Sequence, residues 1–168
     1  MSEHRLEPDL TKVVAWDDYL ESHSQESKEA ADLYREAKDF LCFYSWCKDI
    51  KHGYVGILVP GVVGLFLFEI VPSKTDVDCW VWVVVGDIPP AYITCEDSPN
   101  PACALDAYIG AMSEWVTAAS AGDSVENLIP VNAPATPEFA SLLDKRLKFL
   151  DERVLNKLRP DLIRSQTG

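Results

Sequence analysis

The chain has 168 residues, of which 48% are hydrophobic and 25% are charged, a composition typical of one globular domain with a substantial core. Its 27 acidic and 15 basic side chains give a formal net charge of -12, which disfavours binding to nucleic acids and to anionic membranes, because both carry negative charge themselves. Five Trp, six Tyr and six Phe residues supply enough apolar surface to exclude a disordered chain.

The compartment is indicated by three features of the sequence. The first ten residues contain no apolar segment of the kind that forms a secretory signal. The most apolar stretch, residues 55–71, is broken by Pro60 and Glu69, so it predicts strands rather than a membrane span. Five cysteines occur without a CxxC motif, which indicates reduced thiols. We therefore expect a cytoplasmic protein with no membrane association.

Two helices are predicted in the N-terminal quarter. Residues 9–22 combine apolar and acidic side chains in the pattern of a short amphipathic helix. A longer helix follows, with apolar residues at steps of three and four from Ala30 to Cys47. The polar run from Lys48 to Gly53 is predicted to end it.

The middle of the chain predicts a sheet. Residues 54–59, 62–71, 79–85 and 91–95 are rich in Val, Ile, Phe and Trp, and the connections between them are too short for crossover helices. An antiparallel meander of three to four strands over about residues 54–95 is therefore expected. The second and third of these strands are apolar at odd and even positions alike, so both faces of the sheet must be covered, by helices or by a partner chain.

Two further helices are predicted in the C-terminal part. Asn100-Pro101 and Thr136-Pro137 each place a capping side chain before a proline, which favours a helix start. The first helix is predicted to end at Gly122 and the second at Pro160. The sequence as a whole predicts a single α+β domain over residues 1–168, with the meander packed by an N-terminal helical segment and two C-terminal helices, and with frayed ends at 1–8 and 161–168.

The sequence contains no pattern that identifies a reaction. It lacks paired histidines, a G-x-S-x-G elbow and a phosphate-binding glycine loop, so we assign no catalytic, cofactor-binding or metal-binding residue. Five carboxylates fall in predicted turns at strand ends and are the candidate partner-binding residues, as acceptors for Lys or Arg of another protein. They are Asp76, Asp78, Asp87, Glu96 and Asp97.

The charge is unevenly distributed along the chain. Residues 1–135 carry a net charge of -14, whereas residues 136–168 carry five acidic and seven basic side chains, a net charge of +2. An acidic body without reaction chemistry suits a protein that binds a basic protein partner, because complementary charge accelerates encounter and selects partners.

Three segments of the sequence carry a resemblance to a known family. The run from Trp80 to Ile93, the helix from Ala104 to Trp115 and the proline-rich lead over residues 130–137 resemble a family of small bacterial proteins similar to the immunity proteins of polymorphic and contact-dependent toxin systems. The resemblance covers roughly residues 28–158. It implies a non-enzymatic toxin inhibitor that covers the active site of its cognate toxin, and it transfers no individual site residue.

Two alternatives stay open at this point. The first is a structural or scaffold-type interaction protein, including a homo-oligomer formed through an uncovered sheet face. The second is a small hydrolase that uses Asp87 together with Glu96 or Asp97 as a paired acid and base.

Overall fold

The structure, a computed structural model, describes residues 7–23 and 27–162. A single 3-10 turn at Leu10–Lys12 precedes the first strand. The chain then runs in the order β1 (Val14–Ala15), α1 (Trp16–Ser22), α2 (Ser27–Cys42), β2 (Cys47–Val59), β3 (Val63–Pro72), β4 (Trp80–Gly86), β5 (Ala91–Thr94), α3 (Pro101–Ala121) and α4 (Pro137–Phe149). After α4 the helix widens into a π segment, Leu150–Val154, and then tightens into a 3-10 segment, Leu155–Leu158.

The five strands form one antiparallel sheet in the order β1-β2-β3-β4-β5. Every neighbour in the sheet is also a neighbour in the sequence. The connections from β2 to β5 are too short to cross over the sheet, whereas the connection from β1 to β2 contains α1 and α2. The predicted α+β fold and its antiparallel meander are confirmed. The structure adds the two-residue strand β1, in which Val14 pairs with Val55, and this strand is too short to leave a recognisable sequence pattern.

Helices cover both faces of the sheet. On one face, α1 and α2 pack over Phe66, Phe68 and Val83. On the other face, α3 and α4 pack over Leu67 and Trp82. The doubly apolar strands β3 and β4 therefore lie between two cores, as their sequence pattern requires. Within the described residues, helices rather than a partner chain cover both faces of the sheet. In this part of the chain, the sheet therefore offers no uncovered face through which a homo-oligomer could form.

The two C-terminal helices begin where the sequence predicts. The side chain of Asn100 accepts a hydrogen bond from the backbone N–H of Cys103, and the side chain of Thr136 accepts one from the N–H of Phe139. Each cap satisfies an N–H that has no partner within the helix. Gly122 ends α3 in the left-handed conformation, with φ at 76°.

The end of α2 differs from the prediction. The helix ends at Cys42, and Cys47 is the first residue of β2, where it pairs with Pro72 of β3. The polar residues expected to close the helix are instead strand residues. They belong to β2 because β3 extends to Pro72 and offers its backbone groups as a template, a long-range effect that outweighs the local helical pattern.

The ends of the chain also differ from the prediction. Val14 lies in β1 rather than in a helix that covers residues 9–22. At the C-terminus, residues 159–162 are helical, so Pro160 does not end the helical course. Of the ends expected to be frayed, residues 1–6 and 163–168 lie outside the described residues. Within the described part, Pro8 is buried and the carboxylate of Asp161 forms an ion pair with Nζ of Lys12 at 3.2 Å.

Candidate functional site

The register of β4 and β5 decides where the five candidate carboxylates lie. Thr94 pairs with Val81, near the start of β4, so the residues that follow Thr94 leave the sheet at the end where β4 begins. Glu96 and Asp97 therefore lie at the same end of the sheet as Asp76 and Asp78, which precede β4. The pKa of the Cys95 thiol agrees with this placement: burial raises it to about 12, and the charge of Asp78 adds to the effect.

Asp87 lies at the opposite end of the sheet. It follows β4 directly, about eight strand positions from the level of Glu96, which corresponds to roughly 25 Å. Its carboxylate Oδ2 accepts a hydrogen bond from Nε of Arg146 at 3.1 Å. The predicted pairing of Asp87 with Glu96 or Asp97 is wrong, because an antiparallel hairpin sends the end of β5 back to the start of β4.

An aromatic cluster lies where α2 gives way to β2. It consists of Phe43, Tyr44, Trp46 and Tyr92. The ring centroid of Tyr44 lies 5.7 Å from that of Phe43, 5.2 Å from that of Trp46 and 5.1 Å from that of Tyr92. Trp46 and Tyr92 are also 5.1 Å apart. These spacings are typical of stacked and edge-to-face aromatic pairs.

The backbone explains how rings from different elements meet. The turn between α2 and β2 is held by hydrogen bonds from the N–H of Tyr44 to the carbonyl of Leu41 and from the N–H of Cys47 to the carbonyl of Tyr44, both 3.1 Å long. Tyr92 pairs with Val83, whose side chain faces α2. Partial burial raises the pKa of Tyr44, with a further contribution from Tyr92.

The aromatic cluster is open to solvent. Phe43 is 85% exposed and Tyr92 is 38% exposed, whereas Tyr44 and Trp46 are partly buried. One exposed apolar side chain is ordinary, but contiguous exposed rings mark surfaces that contact other proteins. Aromatic residues are enriched at the centres of protein interfaces for this reason.

Acidic loops border the aromatic cluster. The carbonyl of Trp46 accepts a hydrogen bond of 3.0 Å from the N–H of Ser73, which starts the loop that contains Asp76 and Asp78. Tyr92 lies in the strand that leads to Glu96 and Asp97. All four carboxylates are exposed, and none of them forms an ion pair with another described residue. We call the four rings and these four carboxylates the aromatic–acidic surface.

The sequence pointed to only part of this surface. The four carboxylates were candidates from their turn positions. Tyr44 falls on the apolar spacing of three and four that runs from Ala30 to Cys47, and that spacing predicts a core position. Phe43 carried a usable signal, because it is a large apolar residue outside that spacing, next to Tyr44. The contact with Tyr92 joins residues 48 positions apart in sequence, which local periodicity does not report.

Within residues 7–23 and 27–162, no group of three or more His, Cys, Asp or Glu side chains has the arrangement of a metal site. None of the helices described in these ranges is long and apolar enough to cross a bilayer. Comparisons of the chain with protein-family models, with curated proteins and with solved structures find no match.

Proposed function

We propose that this chain is a non-enzymatic binding protein of the immunity type, which neutralises a cationic bacterial toxin by covering its active site. The observation that carries the proposal is the aromatic–acidic surface. A patch of partly exposed rings with acidic loops beside it presents apolar area and negative charge together, and an exposed cationic cleft in a partner offers the complement of both.

The rings supply the affinity in this proposal. Trp and Tyr are over-represented among interface residues whose truncation costs 2 kcal/mol or more. They bury a large area while only two side-chain torsions become fixed. A Lys or Arg of the toxin placed over Trp46 or Tyr92 gains a cation–π contact in addition, typically about 0.5–2 kcal/mol.

The carboxylates supply selectivity for a cationic partner and a high association rate. Four carboxylates have no ion pair with another described residue to break before they accept Lys or Arg from another protein: Asp76, Asp78, Glu96 and Asp97. The net charge of -14 over residues 1–135 attracts a cationic partner from a distance. The association rate is therefore expected to fall steeply as salt is added, whereas dissociation, which depends on the buried rings, changes little.

The proposal predicts that a secreted cationic toxin is encoded beside the gene for this chain, and that toxin is the partner used in the test. Wild-type protein should protect cells that express the toxin and should bind it in vitro. Phe43→Ser and Glu96→Lys should each weaken binding about 10-fold to 100-fold, as expected for interface residues worth 1.4–2.8 kcal/mol. Leu10→Ser and Glu126→Lys change exposed residues of the same kinds elsewhere and should leave binding within about threefold of wild type.

Two results would reject the proposal. One is the absence of both protection and a complex with the adjacent toxin. The other is equal loss of binding in the control variants, because general electrostatic attraction without a defined surface then accounts for the association.

A further inference from the structure

A second exposed face lies on α4, at the end of the sheet that carries Asp87. Phe139 is 44% exposed, Leu142 is 50% exposed and Phe149 is 45% exposed, although the buried side of the same helix carries other residues, Leu143 and Leu147. With Arg146, the exposed residues form a row with spacings of three, four and three, which is the a and d seam of a heptad. We call Phe139, Leu142, Arg146 and Phe149 the α4 face. Such a seam is typical of a helix that packs against a second helix.

Two hollows lie beside the α4 face. The first, of about 370 Å³, is bordered by Phe149 and Val62. The second, of about 390 Å³, is bordered by Phe139 and Val131. Leu142 and Arg146 border both hollows, together with Asp87 and Ile88 of the β4–β5 connection. Projecting rings and hollows therefore alternate along one face, which is the shape that a self-complementary interface needs.

The charges favour a second copy of this chain as the occupant. The hollows are bordered by Asp87, Lys145 and Arg146, so this face holds both signs, whereas residues 1–135 are strongly acidic as a whole. Two copies of a chain with a net charge of -12 repel each other least where their facing surfaces are not acidic. A cationic protein, in contrast, meets Lys145 and Arg146 here.

We propose that the α4 face is a homodimer interface, in which α4 of one copy packs antiparallel to α4 of the other about a twofold axis. Phe139 of one copy then enters the first hollow of the other, beside its Phe149, and Phe149 enters the second hollow. The antiparallel arrangement places Arg146 opposite Leu142 of the other copy. A parallel arrangement would place the two Arg146 side chains opposite each other, which like-charge repulsion opposes.

The dimer is independent of the proposed toxin-neutralising function. The rings of the aromatic–acidic surface lie on the α2 side of the sheet, where Tyr92 pairs with Val83, whereas α4 packs on the opposite side, so this surface stays open when α4 is covered.

The oligomeric state in solution tests the proposal. Light scattering coupled to gel filtration, and sedimentation velocity, should give twice the chain mass of 18.7 kDa at hundreds of micromolar and should approach 18.7 kDa on dilution. Added salt should keep or strengthen the dimer, because it screens the repulsion between two acidic bodies. Leu142→Glu and Phe149→Glu should give monomers, whereas Phe43→Glu, an exposed aromatic on the other surface, should leave the dimer intact.

The folding of the variants is checked separately. Leu142 and Phe149 are about half exposed, so circular dichroism and the unfolding midpoint of their variants should stay close to wild type. A wild-type chain that remains at 18.7 kDa at hundreds of micromolar overturns the proposal. The proposal is also overturned if a folded Leu142→Glu variant keeps the dimer mass, or if the dimer is lost only in Phe43→Glu.

Cross-linking tests the arrangement directly. In a Cys42→Ser background, which removes an exposed thiol, Phe139→Cys protein is mixed with Phe149→Cys protein and oxidised. The antiparallel dimer predicts a disulfide between the two different chains. Cross-links that form only between identical chains would contradict the antiparallel arrangement.

Discussion

The indole Nε1 of Trp82 donates a hydrogen bond of 2.7 Å to the backbone carbonyl of Ser98, and both residues are buried. The bond connects the middle of β4 to the turn that leads into α3. The Tyr108 hydroxyl makes a similar connection in the opposite direction, from α3 to the carbonyl of Pro89, at 2.6 Å. Two aromatic side chains thus satisfy backbone carbonyls of the segments on either side of β5, and they fix α3 against the sheet.

Trp82→Phe should destabilise the fold markedly. The substitution leaves the buried carbonyl of Ser98 without its donor and opens a cavity at a side chain that is fully buried. Together these effects should lower the free energy of unfolding by about 2–4 kcal/mol. Urea denaturation followed by circular dichroism measures the change. Trp46→Phe, at a partly buried surface ring, is the matched control and should cost less than about 1 kcal/mol; equal losses would contradict the role given to the hydrogen bond.

Replacing either of two glycines with alanine should change the free energy of unfolding, in opposite directions at the two positions. Gly86 has φ at 131°, and a Cβ there would collide with the backbone carbonyl oxygen of Val62. Gly86→Ala should therefore cost about 2–4 kcal/mol of unfolding free energy. Gly110 is an exposed position within α3 where a Cβ meets nothing, so Gly110→Ala should add about 0.5–1 kcal/mol. Thermal and urea unfolding of both variants check the signs, and a stabilising Gly86→Ala would refute the assigned strain.

Alkaline pH should weaken the fold in part through Cys95. Burial raises the pKa of its thiol from 9.0 to about 12 in the folded chain. Below pH 9 the thiol is protonated in both states and contributes no pH dependence. Between pH 9 and 12 the unfolded chain loses the proton first, so stability falls, by at most about 1.4 kcal/mol per pH unit for this group.

The variant Cys95→Ala isolates that contribution. Unfolding free energies measured from pH 8 to 11 should decline less steeply in the variant than in wild type. Cys47 and Tyr34, whose pKa values burial raises to about 11 and about 12, remain in both chains and contribute a shared decline above pH 9. Identical slopes would show that Cys95 titrates alike in the folded and unfolded chains.

Thiol reagents should distinguish the cysteines by exposure. Cys42 is exposed at the end of α2 and Cys79 is partly exposed, whereas the other three cysteines are buried: Cys47, Cys95 and Cys103. Burial also raises the pKa of Cys47 to about 11, which keeps it in the less reactive thiol form. In native buffer one thiol, Cys42, should react fast with an aromatic disulfide reagent, and Cys42→Ser should remove that phase. A fast phase of unchanged size in Cys42→Ser would contradict the assignment to Cys42 and would point to the partly exposed Cys79 or to opening of the fold.

The sequence predicted best those features that depend on neighbouring residues. Asn100 and Thr136 cap their helices through contacts with residues three positions away, and the structure confirms both starts. The antiparallel order also followed from local evidence, because short connections leave no room for a crossover.

Features that depend on distant residues were missed. Cys47 lies in a strand rather than in the predicted helix because it pairs with Pro72 of β3. The placement of Glu96 beside the start of β4, rather than beside Asp87, follows from the β4–β5 register, which no local pattern contains. The π segment after Phe149 lies within an unbroken helical pattern and has no sequence signal of its own.

The double burial of β3 and β4 has a consequence for how the chain finds its native pairing. In a sheet with one solvent-exposed face, a shift of the strand register by one residue exposes the apolar side chains to water and is strongly disfavoured. Here such a slip of β4 would only exchange Trp82 and Val84 with Val81, Val83 and Val85, and these side chains would still enter an apolar core. Discrimination must then come from shape and from polar groups, and the indole N–H of Trp82 is the group that would lose its acceptor. Its hydrogen bond to Ser98 selects one alignment of the central strands over its near neighbours.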